Sequence, residues 1–459
     1  MSITPAQENE RMLARMLGVG EEQAAMRLNQ SVTITAEGQE GKKFAQELKA
    51  QLERTVQVRE AGKSADLEIV IGTAALGLAK KTLFVEITSD AVTISRSRLG
   101  NATTDLHGVQ RILAACYAAS VAFGELIDDL PQAPPADPFV VSFSALGALR
   151  EILAHPIALR DTALVGAGAV GNAFLRAARH LDISGDMTVC DPKAVGSGNP
   201  NRCLYFSEQD IDKDKATRLC TNAQNDFPNL KLIPFTGTFA DFRKTQERGR
   251  VKRVIIGADS RLVRRSIERE LPLEVIDAST TGATEVIVHS HGQPNPHACL
   301  GCIYPPIPDE LGRARDIASG LGVPLATVTS GELIDEATAA HITAKHQGLD
   351  AKALVGKAFD SLFKQLCAEQ ALLSPTGEQV LAPFAFVSSL AGALQALELA
   401  RFDSGARAAD GKNYLFASAW SPPHARLRRL RGALTNCDVC GDGTYGQVLK
   451  AVWSDRLSV

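Results

Sequence analysis

The chain has 459 residues, 45% hydrophobic and 22% charged, enough for two or three domains around a substantial buried core. Lysine and arginine number 49 against 52 acids, a net charge of −3, which points away from a nucleic-acid partner. No apolar run reaches the length of a membrane span, and the opening MSITPAQENERM has no signal-peptide centre, so a soluble cytoplasmic protein is expected.

Residues 1–137 read as a smaller α/β domain. ENERMLARMLG is an amphipathic helix; SVTITAE, TVQVRE, LEIVIG, LFVEIT and AVTISR have the alternation or apolar runs of strands. GVQRILAACYAASVAFGELI is a long apolar helix. The proline-rich PQAPPADP, residues 131–138, then marks a boundary, because clustered prolines cannot continue a helix. From residue 138 to 305, strands (TALVGAG, DMTVCD, LKLIPF, VKRVIIGAD, LEVIDAS, ATEVIVHSHG) alternate with helices (AVGNAFLRAARHL, KATRLCTNAQNDF, RLVRRSIEREL). This order implies a doubly wound, mostly parallel, Rossmann-like sheet. Residues 306–379 lose the alternation and read as a helical insertion. APFAFVSSLAGALQALELARF and KNYLFASA return the chain to the sheet domain, which resumes over 380–459.

Gly166, Gly168 and Gly171 fit G-x-G-x-x-G between a strand and a helix, a turn that brings backbone and helix N-terminus to a phosphate. Asp191 ends the next strand, where a carboxylate can accept from ribose hydroxyls. The fingerprint serves NAD and ATP alike. Asn199, Arg202 and Lys215 follow, and Asp259 ends a later strand. Two cations and an extra carboxylate at the C-terminal edge of a parallel sheet suit a triphosphate that loses pyrophosphate, with the acid holding magnesium. Hydride transfer needs neither. Arg202 or Lys215 alone would read as a solvated surface charge.

Nine cysteines are present. Four form the pairs Cys299/Cys302 and Cys437/Cys440, which suit a tetrahedral structural zinc. Four thiolates leave His289, His291 and His297 no vacancy, so these are strand or loop residues.

The combination GAGAVG…D…GNPNR…KA…GADS resembles the adenylation domain of ubiquitin-activating enzymes and their bacterial ThiF–MoeB relatives, over about residues 160–305 and 380–445. The resemblance implies that Gly166, Gly168, Gly171, Asp191 and Ser260 belong to the ATP site. Asn199, Arg202 and Lys215 would bind phosphates, and Asp259 magnesium. Lys193 stands where the family commonly has a second acid and is given no role. The implied reaction is attack of a ubiquitin-like protein's C-terminal carboxylate on the ATP α-phosphate, then capture of the acyl-adenylate by a sulfur nucleophile. The implied partners are that ubiquitin-like protein and a conjugating enzyme. A homodimer is expected through the long helices near 105–125 or 384–402, whose plain alternative is intrachain core. Arg11, Arg15 and Arg27 are possible donors to a partner's ATP site, with surface charge as the alternative.

The N-terminal domain and the insertion after the first cysteine pair most resemble the activating enzymes of bacterial ubiquitination-like antiphage operons. Alternatives are a sulfur-carrier adenylyltransferase, a catalytically inactive scaffold half, and last an NAD oxidoreductase. In ubiquitin-activating enzymes a Pro-x-Cys-Thr-Ile stretch presents the thioester cysteine; here VPLATV has Ala326 in that place. Either the natural protein stops at adenylation, or alanine has replaced cysteine, the reading preferred here. Cys367, the other cysteine of the insertion, reads as helix core.

Overall fold

The computed structural model describes residues 4–132, 135–246, 250–281, 284–305, 310–330, 332–346, 348–368, 384–441 and 444–453. The first sheet runs, in spatial order, Gln57–Arg59, Ser31–Ala36, Ala65–Ile71, Ala79–Ile87, Ala91–Ser95 and Phe139–Ser142. Its first four strands are parallel and its last two antiparallel additions. The last strand corrects the expected boundary. Phe139–Ser142 lies after the prolines yet pairs with Ala91–Ser95, and Phe139 and Val141 are fully buried there. The first domain therefore runs past the proline-rich stretch.

The second sheet runs Leu230–Phe235, Ile183–Cys190, Thr162–Val165, Arg253–Ile256 and Glu274–Thr281, all parallel, then Glu285–Gly292, Tyr414–Ser418 and Arg428–Arg429, all antiparallel. The short strand Ile157–Leu159 pairs beside Ile183–Cys190. Val254, Ile255, Ile256, Val275 and Ile276 are fully buried, as expected of a parallel sheet covered on both faces.

The long helices Gly108–Leu126 and Ala385–Asp403 pack inside the chain, against each other and against Ala169–Ala178. They are buried nearly throughout. Neither face is left to form the expected dimer contact, and the intrachain alternative holds. At the crossing a side chain on Gly392 would meet Ala173 Cβ and Phe174 N at 2.4 Å, so only glycine admits this approach. Phe123 stands 4.7 Å from Phe384 and 6.0 Å from Trp420, ring centre to ring centre, joining both domains in one aromatic core. The insertion comprises Glu310–Leu321, Leu325–Thr329, Glu336–Lys345, Ala351–Leu354 and Phe359–Ala368. It buries a cluster of its own, including Ile317, Leu321, Ile342 and Leu362. Among the described residues no helix is long and apolar enough to cross a membrane.

Candidate functional site

The strand Thr162–Val165 ends in the glycine turn. Gly166 has φ +102°, a left-handed backbone, and a side chain there would meet the Gly257 carbonyl at 2.9 Å. A side chain on Gly171 would lie 2.0 Å from Gly166 O. Gly168 is different: nothing lies within 4 Å of its would-be Cβ, so open space remains in front of the turn. Two of the three glycines therefore close the turn and the third clears it. Asn172, not singled out in the sequence, locks the loop. Its fully buried amide donates to Ala167 O at 2.9 Å and accepts from Tyr205 N at 3.2 Å.

Asp191 is buried at the end of its strand and accepts from Ala167 N and Lys193 N, both at 2.8 Å. Each carboxylate oxygen keeps a free lone pair for a hydroxyl. Lys193, left without a role in the sequence, reaches Asp259 Oδ2 at 3.2 Å. Burial raises the Asp259 carboxyl, but the Lys193 and Lys215 ammonium groups outweigh it and hold it well below the usual carboxylate range. Lys215 opens the helix Lys215–Ala223 and is itself buried. Burial and the nearby Lys193 charge push its ammonium down, against the pull of Asp191, and it has no ion pair among the described residues. Asp191, Lys193, Lys215 and Asp259 thus share one electrostatic cluster at the C-terminal edge of the parallel strands.

Arg202 lies within reach of the same field, and its charge is supported by Asp259 as well as by Glu8. Its guanidinium is paired with Glu8 of the first helix, Pro5–Leu17, a contact across 194 residues of chain. Asn199 is partly committed elsewhere: its Oδ1 accepts from Gly196 N at 2.8 Å and closes its own loop. Ser260 is fully buried and caps the helix Arg261–Arg269 through Val263 N. That helix is anchored by Arg264, which donates to Asp277 Oδ1 at 2.8 Å and to Ala278 O at 3.0 Å. Ser260 therefore shapes the strand end that presents Asp259. Arg11 and Arg27 make ion pairs within the first domain, with Glu21 and Asp129, and Arg15 is exposed.

The second cluster is made of sulfur. Cys299, Cys302, Cys437 and Cys440 bring their Sγ atoms within 4.8 Å of one another. The separations Cys299–Cys302, Cys299–Cys437 and Cys302–Cys440 are 3.8, 3.7 and 3.5 Å. Thiolates placed tetrahedrally at the usual zinc–sulfur distance stand roughly 3.8 Å apart, so the four are suited to a zinc ion. The buried histidines are engaged with other partners. His289 meets His291 at 3.2 Å, and His291 meets Glu268 at 3.1 Å.

Ala326 is exposed in the first turn of Leu325–Thr329, directly after the helix cap Pro324. The Cys367 side chain lies outside the described residues. The insertion comes close to the nucleotide edge. At Gly356, φ +77°, a side chain would meet Pro192 Cβ at 2.6 Å, next to Lys193.

Comparison with known proteins places both halves of the chain. Residues 1–149 match the E1 N-terminal domain, and residues 157–439 match the ThiF family. A protein of Sinorhizobium fredii (strain NBRC 101917 / NGR234), described as uncharacterized protein y4jF, is 25% identical over 366 residues, 76% of this chain and 70% of that protein. Among solved structures, E. coli MccB with MccA-N7isoASN aligns at 15% identity and TM-score 0.36, over 65% of this chain and 70% of that one. E. coli MccB with ATP aligns at 14% identity and TM-score 0.35 over the same shares. E. coli tRNA N6-threonylcarbamoyladenosine dehydratase, TcdA, aligns at 16% identity and TM-score 0.29, over 58% of this chain and 91% of that one. The ThiF match covers more than half of the sequence, and the chain belongs to the ThiF family of E1-type adenylyltransferases, with an E1 N-terminal domain ahead of the adenylation domain.

Proposed function

We propose that the protein uses ATP to adenylate the C-terminal carboxylate of a ubiquitin-like protein. The observation that carries this reading is Lys215, a buried cation with no ion pair among the described residues, in one electrostatic cluster with Asp191 and Asp259. An unpaired buried ammonium is costly, and an anion completes it. ATP lies with its ribose on Asp191 and its phosphates over Gly168, the Lys215 ammonium and the Arg202 guanidinium. The incoming carboxylate oxygen bonds to the α-phosphorus as the bond to the bridging oxygen breaks, and pyrophosphate leaves. Lys215 and Arg202 stabilise the charge that gathers on the transferring phosphoryl oxygens. Asp259 stays ionised, with Oδ1 clear of the Lys193 pair. That suits a magnesium ion held by one carboxylate and the phosphate oxygens. Magnesium, when bound, neutralises the pyrophosphate leaving group.

The test is pyrophosphate exchange into ATP. Exchange should require a ubiquitin-fold protein ending in glycine, and Asp259→Ala should remove it without moving the thermal midpoint. Exchange by Asp259→Ala at the parent rate excludes the magnesium role. Exchange without any such protein excludes the substrate class. We also assign the chain a homodimer, a cytoplasmic location and a conjugating enzyme as later partner; finding genes for a ubiquitin-fold protein and such an enzyme beside its own would support the last of these.

For the four-cysteine site we assign zinc. Elemental analysis should find one zinc per chain, absent from Cys437→Ser, which should also unfold at lower temperature, because structural zinc contributes directly to folding. Metal-free protein of unchanged stability overturns the assignment.

A further inference from the structure

A cavity of about 720 Å³ opens between the first two helices and the loop that carries Arg202, outside the nucleotide edge. Its apolar wall is Leu28, Val56 and Phe206. Its polar wall includes two buried atoms without partners. The Asn201 amide donates to Asn9 Oδ1 at 3.1 Å, and Asn9 in turn donates to Arg54 O at 2.6 Å. This chain of bonds fixes the orientation of both amides and leaves Asn201 Oδ1 buried with no hydrogen-bond partner, on a residue only 3% exposed. Thr55 Oγ1, on a residue 9% exposed, is also buried and unpartnered. Both line the cavity.

Charge points the same way. Glu10, Glu53 and Glu208 line the cavity, and none is in an ion pair among the described residues. The single cation of the lining, Arg54, is turned onto Pro200 O. An unsatisfied buried acceptor costs free energy until a donor meets it, and the carboxylates select a donor that carries positive charge. The volume falls within the usual range for a small-molecule site. We propose that this cavity binds a small cationic ligand of the alkyl-guanidinium or alkyl-ammonium class. The charged head lies among Asn201 Oδ1, Thr55 Oγ1 and the glutamates, and its methylenes lie on Leu28, Val56 and Phe206.

The test uses the intact chain without nucleotide, so that its outcome is independent of adenylation. The probe is agmatine, followed by titration calorimetry, with succinate as an anion of similar length. Agmatine should bind saturably at one site per chain, and succinate should give no saturable heat. The rim variant Glu10→Gln/Glu53→Gln/Glu208→Gln should weaken agmatine about tenfold, the combined effect of three partly exposed charges. Thr55→Val, which removes the hydroxyl at nearly constant volume, should weaken it further with an unchanged thermal midpoint. No saturable agmatine binding, equal binding of succinate, or undiminished affinity in the rim variant overturns the proposal. Tighter binding of an acetylated and amidated arginine peptide than of agmatine gives the site to a polypeptide side chain and overturns the small-molecule source.

Discussion

Gly171→Ala should lose ATP binding and be destabilised by about 3 kcal/mol, the upper end of what forced overpacking usually costs. The added methyl would stand 2.0 Å from Gly166 O and 3.2 Å from Gly166 C. Both partners are backbone, so no side chain can rotate away. Relief requires moving the Gly166 turn, which lies so close to Gly257 that a Cβ on Gly166 would meet its carbonyl at 2.9 Å. The disturbance therefore passes to the strand end that presents Asp259. Gly168→Ala is the control, because its Cβ meets nothing within 4 Å. That variant should keep its stability within about 0.5 kcal/mol and weaken nucleotide binding only through the space it takes. Urea unfolding of both variants, with calorimetric titration of ATP, separates the two effects. Equal stability of Gly171→Ala and the parent would contradict the packing of the turn.

The second large effect is a gain. The chain as given should form adenylate and no thioester, whereas Ala326→Cys should form an adduct with the ubiquitin-like protein that reductant removes. In the variant the thiolate sulfur attacks the acyl carbon of the mixed anhydride, the carbon–sulfur bond forms, and AMP leaves. Position 326 is exposed in the first turn of its short helix, so a thiol there meets solvent and is open to attack chemistry. Gels run with and without thiol after incubation with ATP and modifier read the outcome. A reductant-sensitive adduct on the unaltered chain that disappears in Cys367→Ser would move the nucleophile to position 367.

The elements that sequence periodicity carries were the legible ones. The parallel strands Thr162–Val165, Ile183–Cys190, Arg253–Ile256 and Glu274–Thr281 stand where apolar runs bounded by glycine and acid put them. The two cysteine pairs meet as their spacing and number suggested. What escaped depends on tertiary neighbours. Phe139–Ser142 has the same apolar look in either domain, and only its partner Ala91–Ser95 decides where it belongs. Lys193 gains significance from Asp259, which lies 66 residues away. Glu8 reads as one more charge on an amphipathic helix until Arg202 is placed beside it. Asn172 follows the last glycine of the fingerprint with no pattern of its own, and its role comes from the two carbonyls it holds. Ser260, expected in the ATP site, also accepts from Val263 N and caps the helix it begins, a role set by the strand-to-helix junction.

The insertion buries its own apolar cluster, distinct from the large core shared by the two sheets. A segment with a private core melts as a private unit. Heating should therefore give two calorimetric transitions, and a single two-state fit would misstate the stability of both. Amide exchange should show the same division. Protection along Glu336–Lys345 would be set by the opening of the small helical unit, and protection along Arg253–Ile256 by unfolding of the whole sheet.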